Sequence, residues 1–313
     1  MILVVGSTGA LGGEICRMLR ERGDSVRAFV RTTSNATRVK ALRDLGCEIA
    51  IGDLQDRASI DRACNGVEAV VSTATTVVSR QSHDSLQKSD LEGHFALIDY
   101  AEKYDVKRFV LISISGNVDA ASGLQKAKRE VEEKLRESGV SYTILRPSFF
   151  MEVWLSPMLG FDAANGAVRV YGAGVEPISF ISMFDVASFA VQSIDNERVA
   201  NRTIELGGPE AITPDQVVKV FEKELSRTIT VTHVPAEALS QQYESAADDY
   251  QKSFAGFMLT MNEGDEIDST DALRRIPMKL KSVRDYARSL ALSTGAISRA
   301  NREAVPSRKK TRR

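Results

Sequence analysis

MILVVGSTGALGGEICRMLRERGDSVRAFVR (Met1–Arg31) sets an aliphatic run directly against a glycine-rich turn, and that turn directly against a helix-like stretch. Ile2 to Val5 has the pattern of a parallel strand buried on both faces, and Gly6 ends it. Leu11, Ile15, Met18 and Leu19 then recur at helical spacing, and Gly23 stands where a helix C-terminus accepts a left-handed residue. Gly6, Gly9 and Gly12 therefore fall in a GxxGxxG spacing between a strand and a helix. A helix N-terminus offers unpaired N–H groups and the positive end of the helix dipole, which suits phosphate. Glycines let the backbone turn tightly and approach the phosphates without a Cβ in the way. In this setting the spacing predicts a pyrophosphate cradle formed by Gly6, Thr8, Gly9, Ala10, Leu11 and Gly12.

Strand-like and helix-like stretches go on alternating. SVRAFV (Ser25–Val30), EIAIG (Glu48–Gly52), VEAVVST (Val67–Thr73), RFVLISIS (Arg108–Ser115) and SYTILRP (Ser141–Pro147) read as strands. Leu91, Phe95, Ile98 and Ala101 mark one helical face between them, and Ala127, Val131 and Leu135 another. This rhythm predicts an α/β fold, a doubly wound parallel sheet of the Rossmann type over residues 1–150. After Pro147 the rhythm fails. Residues 151–295 are expected to form a smaller α+β substrate lobe, with a segment at about 178–207 (FISMFDVASFAVQSI, then RTIELGG) returning to the main core. From Thr213 to about Leu292 the pattern is amphipathic and helical, and 296–313, ending RKKTRR, read as a disordered basic tail.

The second strand speaks to the choice of nucleotide. An acid about 20 residues after the glycines usually holds the ribose diol of NAD. Here the strand ends Val30-Arg31-Thr32-Thr33-Ser34, with no acid at its tip. Arg31 can pair bidentately with a 2′-phosphate, and Thr32 or Ser34 can add a hydroxyl, so NADP(H) is expected over NAD(H). The other role open to Arg31 is that of a solvated surface residue. Asp53 and Leu54 in GDLQD follow the third strand, where the adenine edge would lie; Asp53 also suits an N-cap for a helix beginning near Asp56.

The bulk composition excludes several classes. The chain has 313 residues, 43% hydrophobic and 27% charged, with a net charge of −1. This balance gives no basic footprint for nucleic acid. Cys16, Cys47 and Cys64 are scattered and unpaired by motif, as in a reducing compartment. His83, His94 and His233 lack neighbours at ligand spacing, so no metal site is expected. Structure begins at Ile2 and no apolar run is long enough for a bilayer, so neither a membrane nor a signal peptide is expected, and the location is expected to be cytoplasmic.

GSTGALG, RAFVR, GDLQD and KREVEEKLRESGVSYTILRPSFFMEVW together resemble the NmrA-like group of atypical short-chain dehydrogenase/reductases; PISFISMFDVA, ELGGPEAIT and GDEID extend the resemblance to about residue 292. The resemblance implies an extended NAD(P)-binding Rossmann domain with a small substrate lobe. It also implies a division, since some members reduce quinones, dyes or phenylpropanoids and others bind the dinucleotide as regulators with a protein partner. It aligns Lys128 with the lysine of the Tyr-x-x-x-Lys pair, four residues after Leu124, which replaces the tyrosine. That lysine holds the nicotinamide ribose and lowers the tyrosine pKa; leucine has no proton to give. The resemblance further brings Thr73, Ala74, Ser148 and Phe149 to the cofactor and Ser113 or Ser115 to the substrate, with Ser115 and Lys128 as the catalytic candidates. Phe150, Met151 and Trp154 suit either an apolar acceptor pocket or core between lobes. Lys126, Lys128 and Arg129 each precede a glutamate by four residues, so Lys128 also suits a plain surface ion pair. The function expected is an NADP(H)-binding oxidoreductase reducing a small, planar, quinone-like or dye-like acceptor. The alternatives are an NADP(H)-sensing regulator without turnover and, third, a nucleotide-sugar epimerase or dehydratase.

Overall fold

The computed structural model describes residues 1–77, 81, 84–118 and 123–303, with side chains omitted at 294 and 296–303. The chain runs through β1 (Ile2–Val5), α1 (Ala10–Arg22), β2 (Val26–Val30), α2 (Ala36–Asp44), β3 (Glu48–Ile51), α3 (Arg57–Cys64) and β4 (Ala69–Ser72). A π-helical turn, Leu86–Glu92, leads into α4 (Gly93–Lys103), followed by β5 (Arg108–Ile112), α5 (Gly123–Glu137) and β6 (Tyr142–Pro147). All six strands pair in parallel in the order β3-β2-β1-β4-β5-β6. The order reverses between β1 and β4, and ligands of such sheets bind beyond the carboxyl ends of the strands at that point.

Beyond β6 come α6 (Met151–Trp154), β7 (Phe161–Asp162), β8 (Ala167–Tyr171), α7 (Met183–Ser193) and β9 (Arg202–Leu206). Strand β9 joins the main sheet as its seventh strand, parallel to β6, with Leu145 opposite Ile204. The chain ends with α8 (Pro214–Leu225), β10 (Thr230–Val234), α9 (Ala236–Glu244), α10 (Asp249–Glu263), α11 (Thr270–Arg275) and α12 (Val283–Glu303).

Each side of the main sheet has its own core. Ile15 and Leu19 of α1, Leu42 of α2 and Phe189 of α7 cover one face; Ile60 of α3, Leu97 of α4 and Val131 and Leu135 of α5 cover the other. A third cluster, including Phe161, Val170, Phe221 and Met258, belongs to the lobe. The lobe departs from the sequence reading in two places. It holds a second sheet, ordered β10-β8-β7, within stretches read as irregular or helical. The β-branched TVTHV of β10 pairs in parallel with β8, and that long-range pairing decides its conformation. Helix α12 also carries the backbone through Glu303, into the segment expected as a tail; residues 304–313 lie outside those described.

Candidate functional site

The glycine loop is shaped by close backbone approach. Gly6 has φ +86°, and a Cβ there would lie 2.5 Å from Thr73 Oγ1 and 2.9 Å from the Ala74 nitrogen. A Cβ on Gly12 would lie 2.3 Å from the Gly6 carbonyl oxygen. The Gly9 N–H donates to that same oxygen at 2.9 Å, closing the turn. Gly9 caps α1 with an extended backbone and without a side-chain hydrogen bond, and the first turn carries no acid. Ser7 ties the loop to β2 by donating to the Phe29 carbonyl at 2.9 Å. The exposed end formed by Gly9 and Ala10 therefore keeps the chemistry of an anion site.

At the tip of β2, Arg31 donates from Nη1 to Asp84 Oδ2 at 2.8 Å. Its backbone N–H donates to Ser34 Oγ at 3.0 Å, and Thr32 is exposed on the turn. Arg31 is thus not a plain solvated arginine: a buried carboxylate from 53 residues further on balances part of its charge. Arg38 of α2 donates to the Thr8 carbonyl at 2.8 Å, bringing a second guanidinium to the glycine loop. The sequence reading missed it, because the recognisable signal was the end of β2 and Arg38 lies on the next helix. Asp53 is not an N-cap: its Oδ1 accepts from Gln55 N at 2.9 Å, while Asp56 caps α3 by accepting from Ala58 N at 3.0 Å. Leu54 packs against Gly93, at the start of α4.

Residues following β4 join the glycine loop to a buried polar group. Thr73 and Ala74 line Gly6 on one side, and the Ala74 carbonyl accepts from Lys128 Nζ at 3.3 Å on the other. Lys128 is 4% exposed, and burial pulls its ammonium pKa down against the opposing pull of Asp90 and Glu132. It makes no surface ion pair of the kind weighed from sequence; Lys126 does, 3.9 Å from Glu130, and Arg129 pairs instead with Glu132. Close by, His94 Nε2 meets Ser72 Oγ at 2.9 Å. The backbone of Ser89 and Asp90 lies near the ring, but Nδ1 reaches hydrogen-bond geometry with none of it. Burial, followed by the charge of Lys128, pushes the His94 pKa down to about 4, so the imidazole is neutral near pH 7. The π-helical turn presents Asp90, which is 1% exposed and accepts both from the Thr76 backbone N–H at 3.1 Å and from the Thr76 hydroxyl at 2.5 Å.

The two serine candidates have other partners. Ser115 and Ser148 each donate to a carboxylate oxygen of buried Asp265 at 2.6 Å, in the GDEID segment, and Asn117 adds a third bond at 2.9 Å. Asp265 thereby clamps the ends of β5 and β6 to the lobe. Ser113 donates to Glu132, which also receives Arg129, Arg136 and Arg146. Leu124 is 3% exposed and lies at the junction of α5 with α10, where its N–H donates to Ser253 Oγ at 3.1 Å.

A cavity of about 520 Å³ opens between α9, α10 and Val77, lined by Gln242, Tyr250, Phe254 and Met258 among others. Trp154 stacks on Phe254, with ring centroids 5.8 Å apart, and Phe149 meets Trp154 edge-on at 5.0 Å. Met151 is wholly buried, so within the aromatic segment it serves the core, and Trp154 supports the cavity wall from behind. Among the described residues no group of His, Cys, Asp or Glu is arranged to hold a metal, and no helix is long and apolar enough to cross a membrane.

Comparison with known proteins agrees with this architecture. The chain is 30% identical over 241 residues to the photosystem II assembly factor Ycf39 of Trieres chinensis, covering 75% of this chain and 72% of that protein. It is 30% identical over 240 residues to a (4-alkanoyl-5-oxo-2,5-dihydrofuran-3-yl)methyl phosphate reductase of Streptomyces griseus, covering 76% and 78%. The crystal structure of an Escherichia coli NADPH-dependent quinone oxidoreductase complexed with NADPH superposes with a TM-score of 0.75 at 22% identity, over 93% of this chain and 99% of that one. The model of the NmrA-like family matches residues 1–287, and the chain belongs to that family.

Proposed function

We propose that this protein is an NADP(H)-dependent oxidoreductase that reduces a small planar acceptor of the quinone or dye class. One observation carries the reading: Thr73 and Ala74 pack against Gly6 of the glycine loop, and the Ala74 carbonyl accepts from the buried Lys128 ammonium, so loop and lysine meet at one short segment. Its residue chemistry fits an extended dinucleotide. The uncapped N-terminus of α1 suits the pyrophosphate, Arg31 and Arg38 suit the 2′-phosphate, and Lys128 suits the nicotinamide ribose. A buried lysine with a perturbed pKa is costly to the fold, and such groups cluster at functional sites, which favours a binding role. When bound, the reduced cofactor supplies a hydride. The quinone oxidoreductase and the phosphate reductase among the similar proteins support a reductase.

Leu124 stands where the resemblance would put the proton-donating tyrosine that tyrosine-based reductases and nucleotide-sugar epimerases share, so α5 itself supplies no such donor. The same leucine, with the resemblance to an assembly factor, favours a second reading: a dinucleotide-responsive protein that acts on a partner without turnover. Following NADPH absorbance at 340 nm with a panel of quinones and dyes separates the two. Acceptor-dependent oxidation supports the reductase, and tight binding without oxidation by any acceptor rejects it.

A further inference from the structure

We infer that Tyr250, on lobe helix α10, is the proton donor to the acceptor and stands in for the tyrosine missing at position 124. The inference rests on the reductase reading above and assigns one of its steps. Three observations meet at this residue. Tyr250 lines the 520 Å³ cavity, together with Phe254 and Met258. Its Oη lies 2.9 Å from Thr76 Oγ1, two residues after Ala74, whose carbonyl accepts from Lys128 Nζ. Finally, α10 is docked on the turn of α5 that carries Leu124. The Leu124 N–H donates to Ser253 Oγ at 3.1 Å, and Gln125 Nε2 donates to the Ser253 carbonyl at 3.3 Å. Tyr250 precedes Ser253 by three residues and so shares its helix face. A phenol thus stands at the cavity wall on α10, the helix that docks through Ser253 on the turn of α5 carrying Leu124.

The hydrogen bonds around Thr76 suit a phenol that must give up its proton. Asp90 holds Thr76 twice, through the backbone N–H at 3.1 Å and through the hydroxyl at 2.5 Å. The Thr76 hydroxyl can turn from Asp90 to Tyr250 while the backbone bond keeps the residue in place. It then donates to the phenol oxygen and stabilises charge developing there. With a reduced dinucleotide bound, that cofactor would supply the hydride and Tyr250 would supply the proton to the acceptor. The phenol O–H bond breaks, an O–H bond forms on the acceptor, and the half-buried phenolate recovers its proton from solvent water. Tyr250 is the catalytic residue of this step and Thr76 its positioning residue.

Two acceptors with different needs test the inference. A water-soluble naphthoquinone must gain a hydride and a proton, whereas a cationic triarylmethyl dye gains a hydride alone. Tyr250→Phe keeps the ring and removes the proton. It is expected to lower the ratio of quinone to dye turnover by about 10²-fold, the size of a general-acid contribution, and to abolish the solvent deuterium isotope effect on quinone reduction. Thr76→Val is expected to lower the same ratio by about tenfold and to shift its pH profile, since the phenolate loses its hydrogen bond. Binding supplies a readout independent of turnover: Trp154 is the chain's only tryptophan and stacks on the cavity wall, so its fluorescence reports quinone binding without dinucleotide. Tyr250→Phe is expected to change that dissociation constant far less than it changes kcat. Equal losses with both acceptors, no loss with either, or a loss explained by quinone binding alone would overturn the assignment of Tyr250. A wild-type protein that oxidises NADPH with neither acceptor would overturn the reductase reading itself, and this step with it.

Discussion

Gly12→Ala is the sharpest perturbation of the glycine loop. The new methyl group would lie 2.3 Å from the Gly6 carbonyl oxygen and 2.7 Å from its carbon, where Cβ atoms essentially never come closer than 3.0 Å. Loop and helix must therefore separate by about 0.7 Å, and both neighbours are backbone, so no side chain can swing away. Overpacking of this kind costs about 1–3 kcal/mol, and alanine in a helix returns about 1 kcal/mol relative to glycine. Stability should fall by no more than about 2 kcal/mol, leaving a folded protein. Dinucleotide affinity should fall further, because a displaced α1 N-terminus loses at least one charge-assisted bond to phosphate, worth about 1.5–3 kcal/mol or tenfold to a hundredfold in Kd. Gly13→Ala is the matched control in the same turn. Its Cβ would meet only the Ser7 oxygen at 3.4 Å, an ordinary contact, so stability should be equal or slightly higher and binding the same as wild type. Calorimetric titration with NADPH and urea unfolding of both variants read these quantities. Wild-type NADPH affinity in Gly12→Ala, or equal losses in the two variants, would refute the reasoning.

Arg31→Ala should raise the NADPH dissociation constant about tenfold more than that for NADH, whereas Asp84→Asn, which removes the carboxylate competing with a 2′-phosphate, should shift the ratio the other way; parallel titrations read both. Lys128→Met should leave urea stability equal or higher, since a buried ammonium is replaced by an apolar chain, while binding of either dinucleotide weakens; a variant that loses stability but binds normally would make Lys128 structural. His94, held at about 4 against an ordinary 6.5, contributes stability that is complete above pH 6.5 and is lost as pH falls towards 4, by up to about 1.4 kcal/mol per pH unit. Unfolding free energies measured across pH 4–7 should therefore slope less in His94→Gln than in wild type.

Local signals carried the main sheet and the glycine loop. The aliphatic run of β1, the glycines and the helical spacing after them are contiguous, and their meaning depends on nothing distant. Long-range relations stayed hidden for the same reason. Nothing near Arg31 announces Asp84, which arrives from beyond β4, and the Ser115 hydroxyl is taken by Asp265 from the far end of the lobe. The alternation in TVTHV of β10 was a usable signal for a strand, but the surrounding helical pattern outweighed it. Arg38 was visible as a basic residue and became interpretable only once α2 was seen to direct it at the Thr8 carbonyl. Tyr250 lies furthest from any local signal: its contact with Thr76 spans 174 residues, and the docking of α10 on Leu124 runs through Ser253.

The most direct test of the central claim is a calorimetric titration of the protein with NADPH, NADH, NADP⁺ and NAD⁺ in parallel. The glycine loop joined to Lys128, with Arg31 and Arg38 beside it, predicts binding of the two phosphorylated nucleotides at least about tenfold tighter than of their counterparts. Binding of none of the four, or equal binding of all four, would contradict it.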